Sequence, residues 1–357
     1  MKIVILALSG IGDALMFTPA MQLIRKKFPE AEIDAVVMYK GVNEIFERTG
    51  LFTSIFYFDF LSASKFSALR FVLKLRGKYD ASINVYPSNR KEYNLINFLI
   101  GAKKRAAVRY LRNDFRNLGF LNTVSILEND ALHNVEENIL LCEKLFKVTF
   151  DEPPPLCFPP ADEDNTFREK YLHELGVDEN DFVVGFHPGC STLKNHLKRR
   201  WAPENFASLG TMLIAQKNAK VFIFGGPDER ELQESIKEKI GSPNAFVIET
   251  NSLPQTASIM KRCNVFVTND SSLMHIASAL MLKVVAVIGP TNTNYIHPWK
   301  TKHRIASLQL DCAPCFFYSP KPLTCTRSDV KFKCIKELGS EKVFEVIESF
   351  LRDDSRI

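Results

Sequence analysis

One plan recurs along this chain and restricts what it can fold into. It is a short apolar run, a loop with glycine or a small hydroxylated residue, then a stretch with apolar residues every three or four positions. Residues 3–8 form the first run, which ends in Ser9-Gly10-Ile11-Gly12-Asp13; Leu15, Met16, Ala20, Leu23 and Ile24 then follow at helical spacing as far as Pro29. A second apolar run occupies 33–38. Strand, helix and strand in so few residues make a βαβ unit, and such units build parallel sheets because parallel neighbours need a crossover. The pattern predicts further helices over 65–76 and 135–146 and a strand over 81–85.

The plan is interrupted once. Residues 151–165 hold prolines at 153, 154, 155, 159 and 160, with four acidic residues after Asp151. Proline at that density resists helix interiors and central strands, so this stretch is expected to link two domains. The plan then resumes, with strands predicted at 182–186, 220–224, 245–248, 265–268 and 284–288 and helices at 203–216, 229–240, 255–261 and 273–280. Val343, Phe344, Val346, Ile347 and Phe350 make 341–351 an amphipathic tail helix. A length of 357 residues suits two domains of roughly 150 residues each. The expected fold class is α/β. Two Rossmann-like doubly wound domains span 1–160 and 161–340, followed by a final segment 341–357. A cleft between the domains is expected at the carboxyl ends of the strands, where open α/β sheets bind ligands.

Composition narrows the function classes. Apolar residues make up 46% and charged residues 24%, as in soluble globular proteins, and no stretch reaches the ~18 apolar residues of a membrane-spanning helix. The apolar start lacks a small-x-small cleavage pattern and runs into Gly10, Gly12 and Asp13, so it reads as strand, turn and helix rather than a leader. The expected location is cytoplasmic, where eight cysteines are thiols or metal ligands rather than disulfides. Lys+Arg 46 against Asp+Glu 41 leaves a net +5, too small to argue for nucleic acid; it suits an anionic substrate, or one at a membrane surface, where the cations cluster.

Five places carry residues able to do chemistry. Asp13 opens the first predicted helix. The loop before it is not a dinucleotide fingerprint, since Leu15 stands where the third glycine belongs. Asp13 has two open readings: a first-turn acid stabilising the helix dipole by up to ~1 kcal/mol, or a carboxylate kept ionised by helix amides that accepts a proton from a substrate hydroxyl. Phe186-His187-Pro188-Gly189-Cys190-Ser191-Thr192, followed by Lys194, His196, Lys198, Arg199 and Arg200, suits a phosphate cradle or a solvated basic loop. Thr268-Asn269-Asp270-Ser271-Ser272 opens a helix whose amides and hydroxyls suit an anion, with His275 one turn beyond Ser271; the alternative is an ordinary cap with a core histidine. Gly225-Gly226-Pro227-Asp228-Glu229 is a tight turn whose acid grips a ribose diol or simply starts a helix. Cys312, Cys315, Cys325 and Cys334 fall within 23 residues, a spacing for a structural zinc or iron or for unligated thiols.

In their order and spacing, these motifs resemble glycosyltransferase family 9, the bacterial heptosyltransferases of lipopolysaccharide core assembly, over most of the chain. The residues that carry the resemblance are Gly12-Asp13 with Pro19, His187-Pro188-Gly189 running to Arg199-Arg200-Trp201, Gly225-Gly226 with Glu229, and Asp270-Ser271-Ser272 with His275. The resemblance implies the GT-B fold, an acceptor site in the N-terminal domain, a nucleotide-sugar site in the C-terminal domain, and a C-terminal helix that packs back on the N-terminal domain. It implies Asp13 as general base and Ser191, Thr192 and Arg199 facing the donor diphosphate. Glu229 would meet the ribose, Asp270 the sugar, Ser271, Ser272 and His275 the phosphate, and 251–253 the adenine. The cysteine cluster is similar to the iron-binding finger of autotransporter heptosyltransferases, with tighter spacing. Ser271-Ser272 stands where members often have Thr-Gly, and Arg199 where they often have Lys.

The implied function is inverting transfer of a heptose or related sugar from an ADP-sugar to an acceptor hydroxyl in lipopolysaccharide core assembly. Catalysis needs no cofactor, and a structural zinc or iron sits at the cysteine cluster. The implied partners are ADP-heptose and an anionic glycolipid or glycan acceptor such as lipid A–Kdo, without nucleic acid. The enzyme is expected in the cytoplasm, at the cytoplasmic face of the inner membrane. Lys103, Lys104, Arg105, Arg109, Arg112 and Arg116 either meet that acceptor or form a solvated face. The alternatives are transfer to protein or capsule, a nucleotide-sugar epimerase, and a non-catalytic nucleotide-binding protein.

Overall fold

Val- and Ile-rich runs buried on both faces become parallel strands, because only a crossover helix on each side can cover them. The computed structural model describes residues 1–88, 90–112, 114–318 and 322–354; the side chains of Leu193, Lys194 and Asp354 lie outside the described set, and with them the expected part of Lys194 in the basic loop. The chain forms two units, one of Met1–Pro159 together with Tyr318, the other of Pro160–Phe317 with the C-terminal segment.

In the first unit β1 (Lys2–Ala7), β2 (Glu32–Val37), β3 (Ser54–Tyr57), β4 (Ala81–Asn84), β5 (Lys104–Arg109) and β6 (Val124–Leu127) form a sheet in the order β3-β2-β1-β4-β5-β6, all neighbours parallel. The helices are α1 (Ile11–Lys27), α2 (Lys40–Thr49), α3 (Lys65–Leu75), α4 (Lys91–Ile100) and α5 (Asn134–Phe146). The chain steps from β1 out to β3, returns beside β1 with β4, and steps out the other way. Right-handed crossovers therefore put α1 and α2 on one face and α3 and α4 on the other. Accordingly, α1 packs against α2 and α5, whereas α3 packs on α4, which meets the 3-10 turn Gly119–Leu121.

The second unit begins with α6 (Asp162–Glu174) and continues through β7 (Val183–His187), α7 (Pro203–Lys217), β8 (Lys220–Ile223), α8 (Arg230–Ile240), β9 (Ala245–Val247), α9 (Leu253–Met260), β10 (Val265–Asn269), α10 (Ser272–Ala279), β11 (Val284–Val287), α11 (Thr293–Ile296) and β12 (His303–Ala306). Its parallel sheet has the order β12-β11-β10-β7-β8-β9, the same winding as the first. Gly185 in the middle of β7 allows close packing of its neighbour: a Cβ there would lie 2.6 Å from the Phe266 ring and 2.8 Å from Cys263 Sγ.

One expectation needs revision. The acidic end of the proline-rich stretch is not linker. Asp162, Glu163 and Asp164 fill the first turn of α6, where carboxylates suit the helix dipole, and Asp164 accepts the Ala161 N–H at 2.9 Å. In α13 (Ser340–Asp354), which follows α12 (Lys333–Lys336), Val343, Ile347 and Phe350 form one apolar face, and that face is buried against α7, β11 and β12. Lys217 pairs with Glu348 at 2.6 Å beside it. Ile347→Ala should therefore destabilise the second unit by about 2–5 kcal/mol, the usual cost of an emptied core site, read as a lower urea midpoint of the full chain.

Candidate active site

Each sheet reverses direction once, between β1 and β4 in the first unit and between β7 and β10 in the second. At such a switch point the loops leaving two adjacent strands diverge to opposite faces and open a crevice at the carboxyl edge.

In the first unit the switch-point loop after β1 leads directly into α1. Gly10 is the extended N-cap, and Asp13 Oδ2 reaches back to accept its N–H at 3.1 Å. The Asp13 charge is felt by Tyr39, Tyr93 and Tyr110, whose hydroxyls burial already holds above their ordinary pKa. Ser9 Oγ donates to the Pro87 carbonyl and joins the loops after β1 and β4. Sequence reasoning missed a polar layer beside this point. Tyr86 Oη donates to Glu128 Oε1 at 2.8 Å, and Glu128 Oε2 accepts the Leu111 N–H at 3.0 Å. Asn138 accepts from Tyr86 N at 2.9 Å and donates to Tyr86 O at 3.0 Å, while Asn134 Nδ2 donates to Tyr318 Oη at 2.7 Å. Burial raises the pKa of Glu128 and pushes that of Glu137 up to about 7. Isolated Asn, Tyr and Glu residues give no periodic signal, so nothing in the sequence marked them.

In the second unit the hub is His187, the last residue of β7. Its Nε2 lies 3.1 Å from Glu229 Oε2 and its Nδ1 2.7 Å from Ser271 Oγ. An ionised carboxylate can only accept, so Nε2 carries the proton. Glu229 also accepts the Gly226 N–H at 3.2 Å and lies 3.6 Å from Arg200. Burial pulls the Glu229 pKa up, but the His187 bond and charge, the Gly226 amide and Arg200 outweigh it, and the net shift is down. Gly189 is needed here, because a Cβ would occupy the place of the Glu229 carboxylate.

Next to this hub, Arg199 Nη1 donates to Asp270 Oδ2 at 2.6 Å, and Thr291 Oγ1 donates to the same oxygen at 2.8 Å. The Arg199 guanidinium stands 5.6 Å from the Phe316 ring centre, and its Nε is buried without a partner. Asn269 braces the site, donating to Pro188 O at 2.7 Å and accepting from Trp201 N at 3.0 Å. Ser271 is the N-cap of α10 and Ser272 its first residue. His275, buried one turn further, has no partner for Nδ1, and burial pushes its pKa down to about 4.

The structure thus brings Arg199, Glu229, Asp270, Ser271 and His275 to the carboxyl edge around β7, β8 and β10. Ser191 and Thr192 are exposed on the loop after β7. His187, Arg200, Asn269 and Thr291 had no assigned role in the sequence. His187 lies inside the His-Pro-Gly motif, which is the signal that could have found it. Ser252, in the stretch expected near the adenine, caps α9 by accepting the Gln255 N–H at 3.4 Å.

The four clustered cysteines do not fit the expected metal. Cys312, Cys325 and Cys315 add electrostatically to the burial that pushes Cys334 up to about 11. Yet among the described residues no group of three or more His, Cys, Asp or Glu side chains is placed to hold an ion. Cys312 Sγ is instead within 3.5 Å of Arg327 Nη1, and Cys325 Sγ accepts the Phe332 N–H at 3.3 Å. Residues 319–321, inside this segment, lie outside the described set.

Two doubly wound units with polar side chains gathered at their switch points are the architecture of the GT-B fold. The chain belongs to glycosyltransferase family 9 (heptosyltransferase), whose sequence profile matches residues 68–323. It is 26% identical over 363 residues to lipooligosaccharide heptosyltransferase 2 of Campylobacter jejuni serotype O:2, with 99% of each chain covered. Its fold is that of the glycosyl transferase family 9 protein from Veillonella parvula (TM-score 0.77, 22% identity, 99% of this chain and 97% of that one). It is also that of the Escherichia coli ADP-heptose LPS heptosyltransferase II (TM-score 0.73, 20% identity, 99% and 100%).

His275 gives this site a pH signature. Folded, it stays neutral down to about pH 4, whereas an unfolded histidine takes its proton near 6.5. Between those values the unfolded chain binds more protons, so stability rises with pH across the window and is lost as pH falls through it. His275→Leu should flatten the urea-midpoint profile between pH 6.5 and 4.

Proposed function

We propose that the protein is an inverting glycosyltransferase that moves a heptose or closely related sugar from an ADP-sugar to a hydroxyl of an anionic glycolipid acceptor of the lipopolysaccharide core. In this reading it works as a peripheral enzyme at the cytoplasmic face of the inner membrane. The first unit takes the acceptor and the second the donor. The observation that carries the reading is the placement of Asp13 and of the Arg199–Asp270–His275 group at the switch points of two sheets in a family 9 chain. The ADP-heptose named for the Escherichia coli structure supports the choice of donor.

In the proposed step Asp13 accepts the proton of the acceptor hydroxyl. The oxygen attacks the anomeric carbon from the face opposite the diphosphate, the bond from that carbon to the phosphate oxygen breaks, and the nucleoside diphosphate leaves. Charge growing on the leaving group is met by Arg199, whose Nε is a free donor, and by the amides opening α10 at Ser271 and Ser272. Ser191 and Thr192 supply hydroxyls to the diphosphate from the exposed loop. Glu229, held by His187, meets the ribose, and Asp270 orients the sugar. No cofactor takes part in this step.

Asp13→Asn keeps the helix cap and removes the base. It should retain ADP-heptose binding and lose transfer by roughly 10²–10⁴-fold, measured as ADP release with acceptor present. Transfer within a few-fold of wild type would leave Asp13 as a cap alone. Arg199→Ala should weaken ADP binding in calorimetry by about 1.5–3 kcal/mol, the range for a charged hydrogen bond. Unchanged affinity would assign the diphosphate to other groups.

A further inference from the structure

The first unit has one face unlike the rest of the surface. On α3, Phe66 is 76% exposed, Leu69 42% and Leu73 45%. At 100° per residue these three fall on one stripe, on the side of the helix away from the buried Val72 and Leu75. Lys65, Arg70 and Lys74 flank the stripe, and the helix contains no acidic residue. The stripe continues sideways, because α3 packs on α4 and α4 on the turn Gly119–Leu121. There Leu95, Phe98 and Phe120 are exposed as well. Of the fifteen large apolar side chains exposed among the described residues, nine lie between residues 65 and 127, and only Leu197 and Met281 belong to the second unit.

Charge follows the same division. Residues 65–127 contain thirteen Lys or Arg and three Asp or Glu, a net +10 in a chain whose whole net charge is +5, so the remainder carries −5. A solvated basic face has no use for outward phenylalanines, and an ordinary protein-binding patch has no need of so much cation. Exposed apolar side chains on adjoining elements, bordered by lysine and arginine, are the chemistry of a surface that lies in the headgroup region of an anionic bilayer.

We infer that the α3–α4–Gly119–Leu121 face is a docking surface for an anionic lipid bilayer. Phe66, Leu69 and Leu73 enter the interface, and Lys65, Arg70 and Lys74 meet the headgroups. The inference refines the membrane partner in the reading above. It is read without any sugar transfer, so the two can fail separately.

The test is flotation of the full-length protein with vesicles of phosphatidylcholine alone or mixed with phosphatidylglycerol. The wild type should bind only the mixed vesicles and be released as salt rises and screens the cations. Phe66→Ser/Leu69→Ser/Leu73→Ser should weaken partitioning at least tenfold, and Lys65→Glu/Arg70→Glu/Lys74→Glu by roughly fivefold or more for each cation removed. All six side chains are exposed, and unchanged circular dichroism and melting will show that the variants fold. Lys237→Glu/Lys261→Glu in the second unit should bind as the wild type does. The inference is overturned if the wild type ignores anionic vesicles at low salt, or if the α3 variants bind as well as the wild type. It is also overturned if sedimentation shows a dimer that only the α3 variants disrupt, which would mean a second copy covers this face.

Discussion

Everything functional in this molecule depends on the geometry of parallel strands. A parallel sheet can be entered only by crossovers, so all its carboxyl ends collect on one edge. With right-handed crossovers, the loops part where the strand order turns back. The chain makes that turn twice, after β3 and after β9. In each unit the loop leaving the first strand runs into the residues of interest. Asp13 follows β1, and His187 ends β7. The placement of those residues follows from the winding and needs no unusual backbone.

In the second unit that edge is organised by charge. Asp270 and Arg199 keep only 9% and 11% side-chain exposure, and Glu229 18%. Ion pairs this dry recover little net stability, because desolvation offsets most of the attraction. What they provide is order: Asp270 joins the end of β10 to Arg199 and Thr291, and Glu229 joins the end of β8 to His187 and Ser271. With His275 neutral, the fixed cations facing Asp270 and Glu229 are Arg199 and Arg200. In the proposed reaction an incoming diphosphate would compete with Asp270 for Arg199, whose Nε has no hydrogen-bond partner.

The sequence made the strands of the central sheets legible because they are continuous apolar runs. Ser54–Tyr57, Val124–Leu127 and His303–Ala306 escaped notice because they are short, partly exposed edge strands without a long apolar run, and Lys104–Arg109, inside the first sheet, because its basic residues hide a three-residue apolar centre. Helix α6 hid behind the prolines, whose density masked three acids that cap a helix. The position of Asp13 and of the Asp270–His275 stretch at strand ends was legible because glycine, acid and hydroxyl follow a strand at fixed spacing. Thr291 was not, since its partner Asp270 lies 21 residues earlier and only the fold brings them together. The packing of α13 on α7, β11 and β12 was not legible because amphipathicity says that a face is buried, not what buries it. Spacing alone likewise suggested a thiolate cluster, whereas ligation depends on where four sulfurs point.

The first unit shows where local rules are broken. Between the sheet and α3–α4 its core is mostly aliphatic and aromatic, with Val4, Leu6, Val36 and Ile100 fully or almost fully buried. Near the carboxyl edge, Asn84 Oδ1, Asn117 Nδ2, Asn134 Oδ1 and Glu137 Oε2 are buried without partners. Each such atom costs about 1–3 kcal/mol against a satisfied one, and apolar residues of similar shape would remove the cost. The second unit repeats the pattern at its own edge with Arg199 Nε, Arg200 Nε and His275 Nδ1. Departures from good packing that collect at one end of both sheets, and at the end where the winding opens a crevice, are those expected of sites shaped by something other than stability. The polar layer of Tyr86, Glu128, Asn134 and Asn138 lies at that edge, beneath the surface, where its hydrogen bonds hold the loops after β4 and β5 in place beside Asp13.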